Sequence, residues 1–382
     1  MDDISFWLVV LTVILFFGYA ALIEYYRKGW RRLREYTMPE GFNPTAKVTI
    51  IISARNEEHN IGHCLQSLVH QHYPAELVQV IVIDDHSTDR TADIVIGFNN
   101  DSIQLIRLQD HISGPINSYK KKAIEVGIAH ATGDWIITTD ADCTARPDWL
   151  PTLMAYQRET TAVLIAAPVK LLSKNSLLHI FQSLDFITLQ GITAASVSRN
   201  FHSMANGANL CYSRHAFNEV GGFQGIDHLA SGDDMLLMHK IAARYPGRLF
   251  YLKSKAAIIT TEPAASWKAF WQQRIRWASK ADKYDDKRIF WVLLLVYLLN
   301  FLVLALFVLS FFNFDLLIVA MLLLLSKTLL EYPFVSPVAA FFEERRLMQF
   351  FVLLQPLHIG YTVVAGWLGK FGRYHWKGRR VK

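Results

Sequence analysis

No charged side chain interrupts residues 4–23, and none interrupts 289–314. Each run is long enough to cross the hydrocarbon core of a bilayer. Backbone in lipid must satisfy its own hydrogen bonds, so runs of this length are committed to helix. Further apolar runs occupy 316–334 and 347–368, which carries the chain to 52% hydrophobic. Residues 47–260 have a mixed composition and read as a domain outside the lipid. The chain is therefore expected to be a membrane protein with one large extramembrane domain.

Charge sets the expected orientation. Asp2 and Asp3 precede the first run, and Arg27, Lys28, Arg31, Arg32 and Arg34 follow it. Basic flanks stay on the cytoplasmic side, so the N-terminus is expected outside and residue 27 onward inside. A cleaved signal peptide is not expected, because its basic region would come first. The net charge of +6 suits a membrane surface or anionic substrates, and no nucleic-acid module signature is present. Cys64, Cys143 and Cys211 are far apart and show no C-x-x-C spacing, which argues against a disulfide framework or a cysteine zinc site. His59, His63, His70 and His72 lack the acidic or cysteine partners of a metal site.

The middle of the chain alternates strands and helices. Strands are expected at Val48–Ser53, Val80–Ile83, Ile103–Leu108 and Trp135–Asp140. Helices are expected at Glu58–Gln71, from a Ser87 or Thr88 cap to Phe98, and at Ser118–His130. That order implies a mostly parallel α/β sheet, whose ligands bind beyond the carboxyl ends of the strands. Three such ends carry polar groups: Arg55-Asn56-Glu57, Asp84-Asp85, and Asp140 with Asp142. Two carboxylates one residue apart after a strand suit a hard divalent cation carrying a diphosphate. Farther on, a helix is expected over Ser176–Val197, a strand over Gly207–Tyr212, and a helix from Gly232-Asp233-Asp234 to Arg244. Residues 266–288 read as a basic amphipathic helix in the membrane interface. Lys327 and Glu331, one helical turn apart in an apolar run, could pair; the favoured reading puts them near the inner interface, snorkelling. The 347–368 run, interrupted by Pro356 and Gly360, is read as re-entrant or interfacial, which keeps the basic tail inside.

Six motifs in order resemble the membrane-bound family 2 glycosyltransferases of GT-A fold, such as cellulose, hyaluronan and poly-N-acetylglucosamine synthases and ceramide glucosyltransferase. They are Ala54-Arg55-Asn56-Glu57, Asp84 to Asp89, Lys120 to Gly127, Thr139 to Asp142, Gly232-Asp233-Asp234, and Gln273-Arg274-Ile275-Arg276-Trp277. The fifth departs from the usual Thr-Glu-Asp but keeps its final Asp. The resemblance implies an α/β GT-A domain flanked by transmembrane helices. Its boundaries are 1–26 for an N-terminal span, 27–46 for a linker, 47–265 for the GT-A domain and 266–288 for the interfacial helix. Membrane-embedded helices then fill 289–372, and a basic tail 373–382. It also implies an inverting transfer from a UDP-sugar, with Mg²⁺ or Mn²⁺, to a polysaccharide or lipid-linked acceptor. The setting would be a multi-pass protein of a bacterial inner membrane, catalytic domain cytoplasmic. Alternatives are a single-addition glycolipid synthase or a non-catalytic subunit with the same fold. By the same resemblance, Asp142 and Asp140 serve the metal, and Asp234, with Asp233 beside it, is the base. Ala54, Arg55, Glu57, Asp84, Asp85, Lys120 and Asp140 line the donor site. Gln273, Arg276 and Trp277 meet the acceptor. Lys121 and Lys122 are expected to be solvated.

Overall fold

The computed structural model describes residues 3–114, 116–201, 205–229, 232–280, 286–372, 374–376 and 379–381. In chain order the elements begin with α1 (Asp3–Arg32), β1 (Val48–Ala54), α2 (Ile61–Val69), β2 (Val78–Asp84), α3 (Thr91–Gly97) and β3 (Ile103–Arg107). Next come α4 (Tyr119–Ala129), β4 (Trp135–Asp140), β5 (Cys143–Ala145), α5 (Trp149–Glu159), β6 (Leu164–Ala166), β7 (Val169–Leu171) and α6 (Leu177–Ser198). Then follow β8 (Leu210–Ser213), α7 (Arg214–Glu219), α8 (Met235–Arg244), β9 (Leu249–Tyr251) and β10 (Ile259–Thr261). The chain ends with α9 (Trp267–Ala278), α10 (Lys287–Leu309), α11 (Asp315–Phe341), α12 (Phe351–Phe371), β11 (Tyr374–Trp376) and β12 (Arg379–Val381). The elements form two units. A sheet unit takes Leu33–Leu172 and Ser203–Glu262, and a helical unit takes Met1–Arg32, Ser173–His202 and Pro263–Lys382.

The sheet unit is built on a seven-stranded sheet of order β3-β2-β1-β4-β8-β6-β9, with a small sheet β5-β10-β7 beside it. β1 pairs in parallel with β2 and β4, while β8 runs antiparallel to β4 and β6. Ile50, Ile51 and Ile52, and Val80 through Ile83, are almost wholly buried, so both faces of the central strands are covered. That is what continuous rather than alternating apolar runs imply. Each such side chain contributes about 1.5–3 kcal/mol by leaving water. Gly133 lets the chain enter β4 against β1: a Cβ there would stand 2.5 Å from the Thr49 nitrogen. The linker lies along this unit, with Tyr36 N–H donating to the Lys253 carbonyl at 2.7 Å.

One helix starts late. α3 begins at Thr91 rather than after Ser87 or Thr88, because those residues are engaged elsewhere. The Ser87 hydroxyl accepts from Asn56 N–H, Thr88 N–H donates to the Asn56 side chain, and Asp89 takes the Thr91 N–H.

In the helical unit, α1, α10, α11 and the segment Arg345–Phe371 are long and apolar enough to cross a membrane. α12 runs without a break through Pro356 and Gly360, and α11 continues through Pro333 and Pro337 to Phe341. The apolar interruption expected near residue 356 is therefore not a break in the helix. Gly29 lets α1 and α6 touch: a Cβ there would meet the Ala195 carbonyl oxygen at 2.7 Å. Lys327 and Glu331 do not snorkel. They are 1% and 7% exposed, and their charged ends lie 2.6 Å apart. Gln355 of α12 donates to Glu331 at 2.7 Å and accepts from Lys327 at 3.1 Å, and Tyr19 of α1 donates to Glu331. With partners on three helices, neither charge needs to reach an interface. The expected helix 266–288 is realised as α9 and the start of α10; residues 281–285 lie outside those described. The side chains of the basic tail also lie outside them.

Candidate active site

Register brings the strand ends together. Ala54 of β1 stands opposite Asp84 of β2, and Ser53 opposite Asp140 of β4. Asp84 and Asp140 thus flank one strand, roughly 10 Å apart at the usual strand spacing. The chain leaves β1 towards β2 and β3, then returns to β4 on the other side. The crevice at such a reversal is where open α/β sheets bind ligands.

The loops after β1 and β2 are laced together. Besides the Asn56 bonds, Glu57 N–H donates to the Thr91 hydroxyl at 2.8 Å and Glu58 N–H to Asp89 at 3.1 Å. Asn56 and His86 hold the left-handed backbone region, at φ 54° and 56°. Asp84 accepts from Ser87 N–H at 3.2 Å. Asp85 accepts from the His86 ring at 2.9 Å, and the Arg55 guanidinium lies 3.7 Å away while donating to the Asp85 carbonyl. Glu57 accepts from the Asn60 side chain at 2.9 Å. The sequence-predicted residues Ala54, Arg55, Glu57, Asp84 and Asp85 therefore form one rigid edge.

The second half of the site gathers around Lys120. Its ammonium lies 2.7 Å from Asp140 and 3.3 Å from Asp233. Burial works against its charge, but the two carboxylates outweigh that and hold its pKa above the ordinary lysine value. Asp234 caps α8 by accepting from Met235 N–H at 2.7 Å, and its other oxygen accepts from Gly207 N–H at 3.2 Å. A Cβ on Gly207 would stand 3.1 Å from Asp233 and 3.5 Å from Lys120, so glycine is what lets this strand entry approach the carboxylates. Lys120, Asp140 and Asp233 come from three separate segments, and the two carboxylates meet at the one cation, with Asp234 next to Asp233 in the chain.

Ala141 is buried while Asp140 and Asp142 on either side of it stay partly exposed, so both carboxylates face out of the sheet edge. Among the described residues no three His, Cys, Asp or Glu side chains gather as a self-sufficient metal site. A pair of hard oxygen donors still fits a cation whose remaining ligands are diphosphate oxygens and water, the usual way Mg²⁺ is held beside phosphates. Cys64 and Cys143 lie beneath this pair, buried and free, with thiol pKa values pushed up by burial.

Lys121 is a correction. It is 1% exposed rather than solvated, and its ammonium donates to the carbonyls of Ile226 at 2.6 Å and Leu229 at 2.8 Å. Burial lowers its pKa against the pull of Asp233, Asp234 and Asp227. It ties down the loop that leads into Gly232-Asp233-Asp234. Three lysines in the first turn of α4 oppose the helix dipole, an oddity in the sequence that could have flagged some of them as engaged.

Gln273, Arg276 and Trp277 stand on α9 in the helical unit, whereas the other predicted residues belong to the sheet unit. Between them, Arg274 was read as part of a basic face. It is 2% exposed, 2.7 Å from Asp185 of α6, with its guanidinium carbon 4.1 Å from the centroid of the Trp277 ring.

Comparison with known proteins agrees with this arrangement. Residues 49–216 match the family described as Glycosyl transferase family 2, and residues 135–365 match Glycosyl transferase family group 2. The Bacillus subtilis (strain 168) protein named "Probable glycosyltransferase YdaM" is 29% identical over 63% of this chain and 56% of its own length. A 4,4′-diaponeurosporenoate glycosyltransferase of Staphylococcus aureus (strain USA300) is 32% identical over 62% of this chain and 57% of its own. The chain thus spans somewhat more than half the length of the curated relatives it matches. In fold it is similar to the mannosyltransferase PcManGT from Pyrobaculum calidifontis, solved with GDP-Man and Mn²⁺. That likeness has a TM-score of 0.61 at 19% identity and covers 92% of this chain and 99% of the other. The sheet with its carboxylate-lined edge is a GT-A sheet, and the chain belongs to the family 2 glycosyltransferases.

Proposed function

We propose that the protein moves a sugar, with inversion, from a UDP-sugar to a polysaccharide or lipid-linked acceptor at the cytosolic face of a membrane. The observation that carries this reading is the Lys120 cluster, which holds Asp140 and Asp233 beside the capped carboxylate of Asp234. In this reading Asp142 and Asp140 hold Mg²⁺ or Mn²⁺, which when bound supplies positive charge to the departing diphosphate. Lys120 orients the Asp140 carboxylate and offsets charge at the same edge. The laced edge of Ala54, Arg55, Glu57, Asp84 and Asp85 takes the nucleoside. Asp234, fixed by two backbone N–H groups, receives the acceptor hydroxyl proton. The acceptor oxygen bonds to the anomeric carbon from the side opposite the diphosphate, whose bond to that carbon breaks. Asp233 stays paired with Lys120. Gln273, Arg276 and Trp277 present the acceptor.

Membrane placement is supported by four helices of spanning length and by the basic cluster that ends α1. The glycosyltransferases of Staphylococcus aureus named for 4,4′-diaponeurosporenoate favour a second reading, single addition to one small acceptor. The test is UDP release by the detergent-solubilised chain from a panel of UDP-sugars with Mn²⁺ and bacterial lipid extract, followed by sizing of the product. One UDP-sugar is expected to support release, and Asp142→Asn to abolish it. Absence of both UDP binding and UDP release would overturn the proposal. A product one sugar larger than its lipid would select the second reading.

A further inference from the structure

His86 sits directly after Asp84-Asp85 at φ 56°, in the left-handed region, where histidine is tolerated better than most side chains and glycine serves at less cost. A residue that keeps a disfavoured conformation at a strand end is a candidate for a role that needs its side chain.

The ring is held on two sides. Its Nδ1 donates to the Asp85 carboxylate at 2.9 Å, and its plane meets the Tyr119 ring edge to face with centroids 5.8 Å apart. Tyr119 opens α4, one residue before Lys120. Asp85 is itself steadied by Arg55, 3.7 Å away. With Nδ1–H directed at a carboxylate, the neutral ring presents Nε2 as an acceptor. Nε2 has no hydrogen-bond partner among the described residues, and the side chain is 35% exposed. An oriented, partly open acceptor therefore stands where β2 ends, on the edge assigned to the nucleoside.

We propose that His86 is a donor-binding residue whose Nε2 takes a hydrogen bond from a nucleoside N–H or hydroxyl of the sugar donor. The inference rests on the donor-site reading above. It adds an acceptor beside the carboxylates. A structural imidazole and a ligand-binding one make different forecasts for nucleotide affinity. His86→Gly loses the bonds to Asp85 and Tyr119 and relieves the backbone in either case. If the ring only supports the turn, nucleotide affinity is unchanged; if the ring serves the donor, the nucleotide binds more weakly.

The experiment is calorimetric titration of the full chain in detergent with UDP and Mn²⁺, alongside thermal unfolding, for wild type, His86→Gly and His86→Asn. Asparagine tolerates the same backbone and keeps the fold testable if glycine does not. The expected result is a Kd about tenfold weaker in both variants, the scale of one net hydrogen bond, at a temperature where thermal unfolding shows both variants folded. N3-methyl-UDP and 2′-deoxy-UDP distinguish the donor atom. The analogue lacking the group that His86 accepts binds wild type weakly but is not further weakened by His86→Gly. A Kd within twofold of wild type in both variants overturns the inference and leaves the donor site standing. Absence of UDP binding by wild type overturns the donor-site reading and this inference with it.

Discussion

Two charge clusters, one in each unit, are built in opposite ways. In the helical unit Lys327 and Glu331 are sealed, at 1% and 7% exposed. Glu331 is met by Lys327, Gln355 and Tyr19, so its acceptor capacity is largely filled. In the sheet unit the side chains of Asp140 and Lys120 remain 38% and 35% exposed. Asp234 is oriented by backbone N–H groups, yet each oxygen keeps a lone pair to offer. The same residue types thus serve different ends. A saturated buried network fixes which helices pack together, whereas an oriented and unsaturated one keeps acceptor capacity open, as the proposed donor site requires.

Breaking that contrast should begin with the open cluster. Asp234→Asn is expected to cut transfer by about 10²–10⁴, the range of general-base contributions, with Tm nearly unchanged. The sealed network comes next. Glu331→Gln or Lys327→Met alone should cost about 3–5 kcal/mol by leaving one buried charge uncompensated. The double change to methionine should recover most of that in thermal unfolding. A Lys327→Met protein of normal Tm that no longer transfers sugar would place the helical charges with the chemistry instead. Lys121→Met should have a smaller effect. Two carbonyls lose their donor, which costs about 1–3 kcal/mol, and Lys121→Arg should restore part of it.

The smallest effect concerns pH. Burial works against the Asp89 carboxylate, but bonds from Thr91 and Glu58 outweigh it and hold its pKa below the ordinary 3.8. A depressed carboxylate contributes stability that is present above its unfolded pKa and lost as pH falls through the folded value. Asp89→Asn should therefore flatten the acid limb of Tm against pH and leave the neutral plateau slightly lower.

The contrast also marks what was legible in the sequence. Strand ends are local signals: apolar runs ending in Asp84 and Asp140 mark both the sheet and its acidic edge, and the register aligns them. Partners distant in sequence were not legible. Lys121 looks like one of two solvated lysines until the carbonyls of Ile226 and Leu229 meet it. Arg274 fits a basic stripe, and only the fold supplies Asp185. For Lys327 and Glu331 the spacing allowed a pair, but the deciding partners Tyr19 and Gln355 come from other helices. The start of α3 was misread because Ser87 and Thr88 are good caps that Asn56 claims first.

The central claim is that the open carboxylate edge both binds the donor and supplies the base. Its most direct test uses Asp234→Asn in parallel titration and turnover. The account predicts UDP and Mn²⁺ binding at wild-type affinity, with release of UDP from the UDP-sugar in the presence of acceptor slowed by about 10²–10⁴. Release at near the wild-type rate would contradict it.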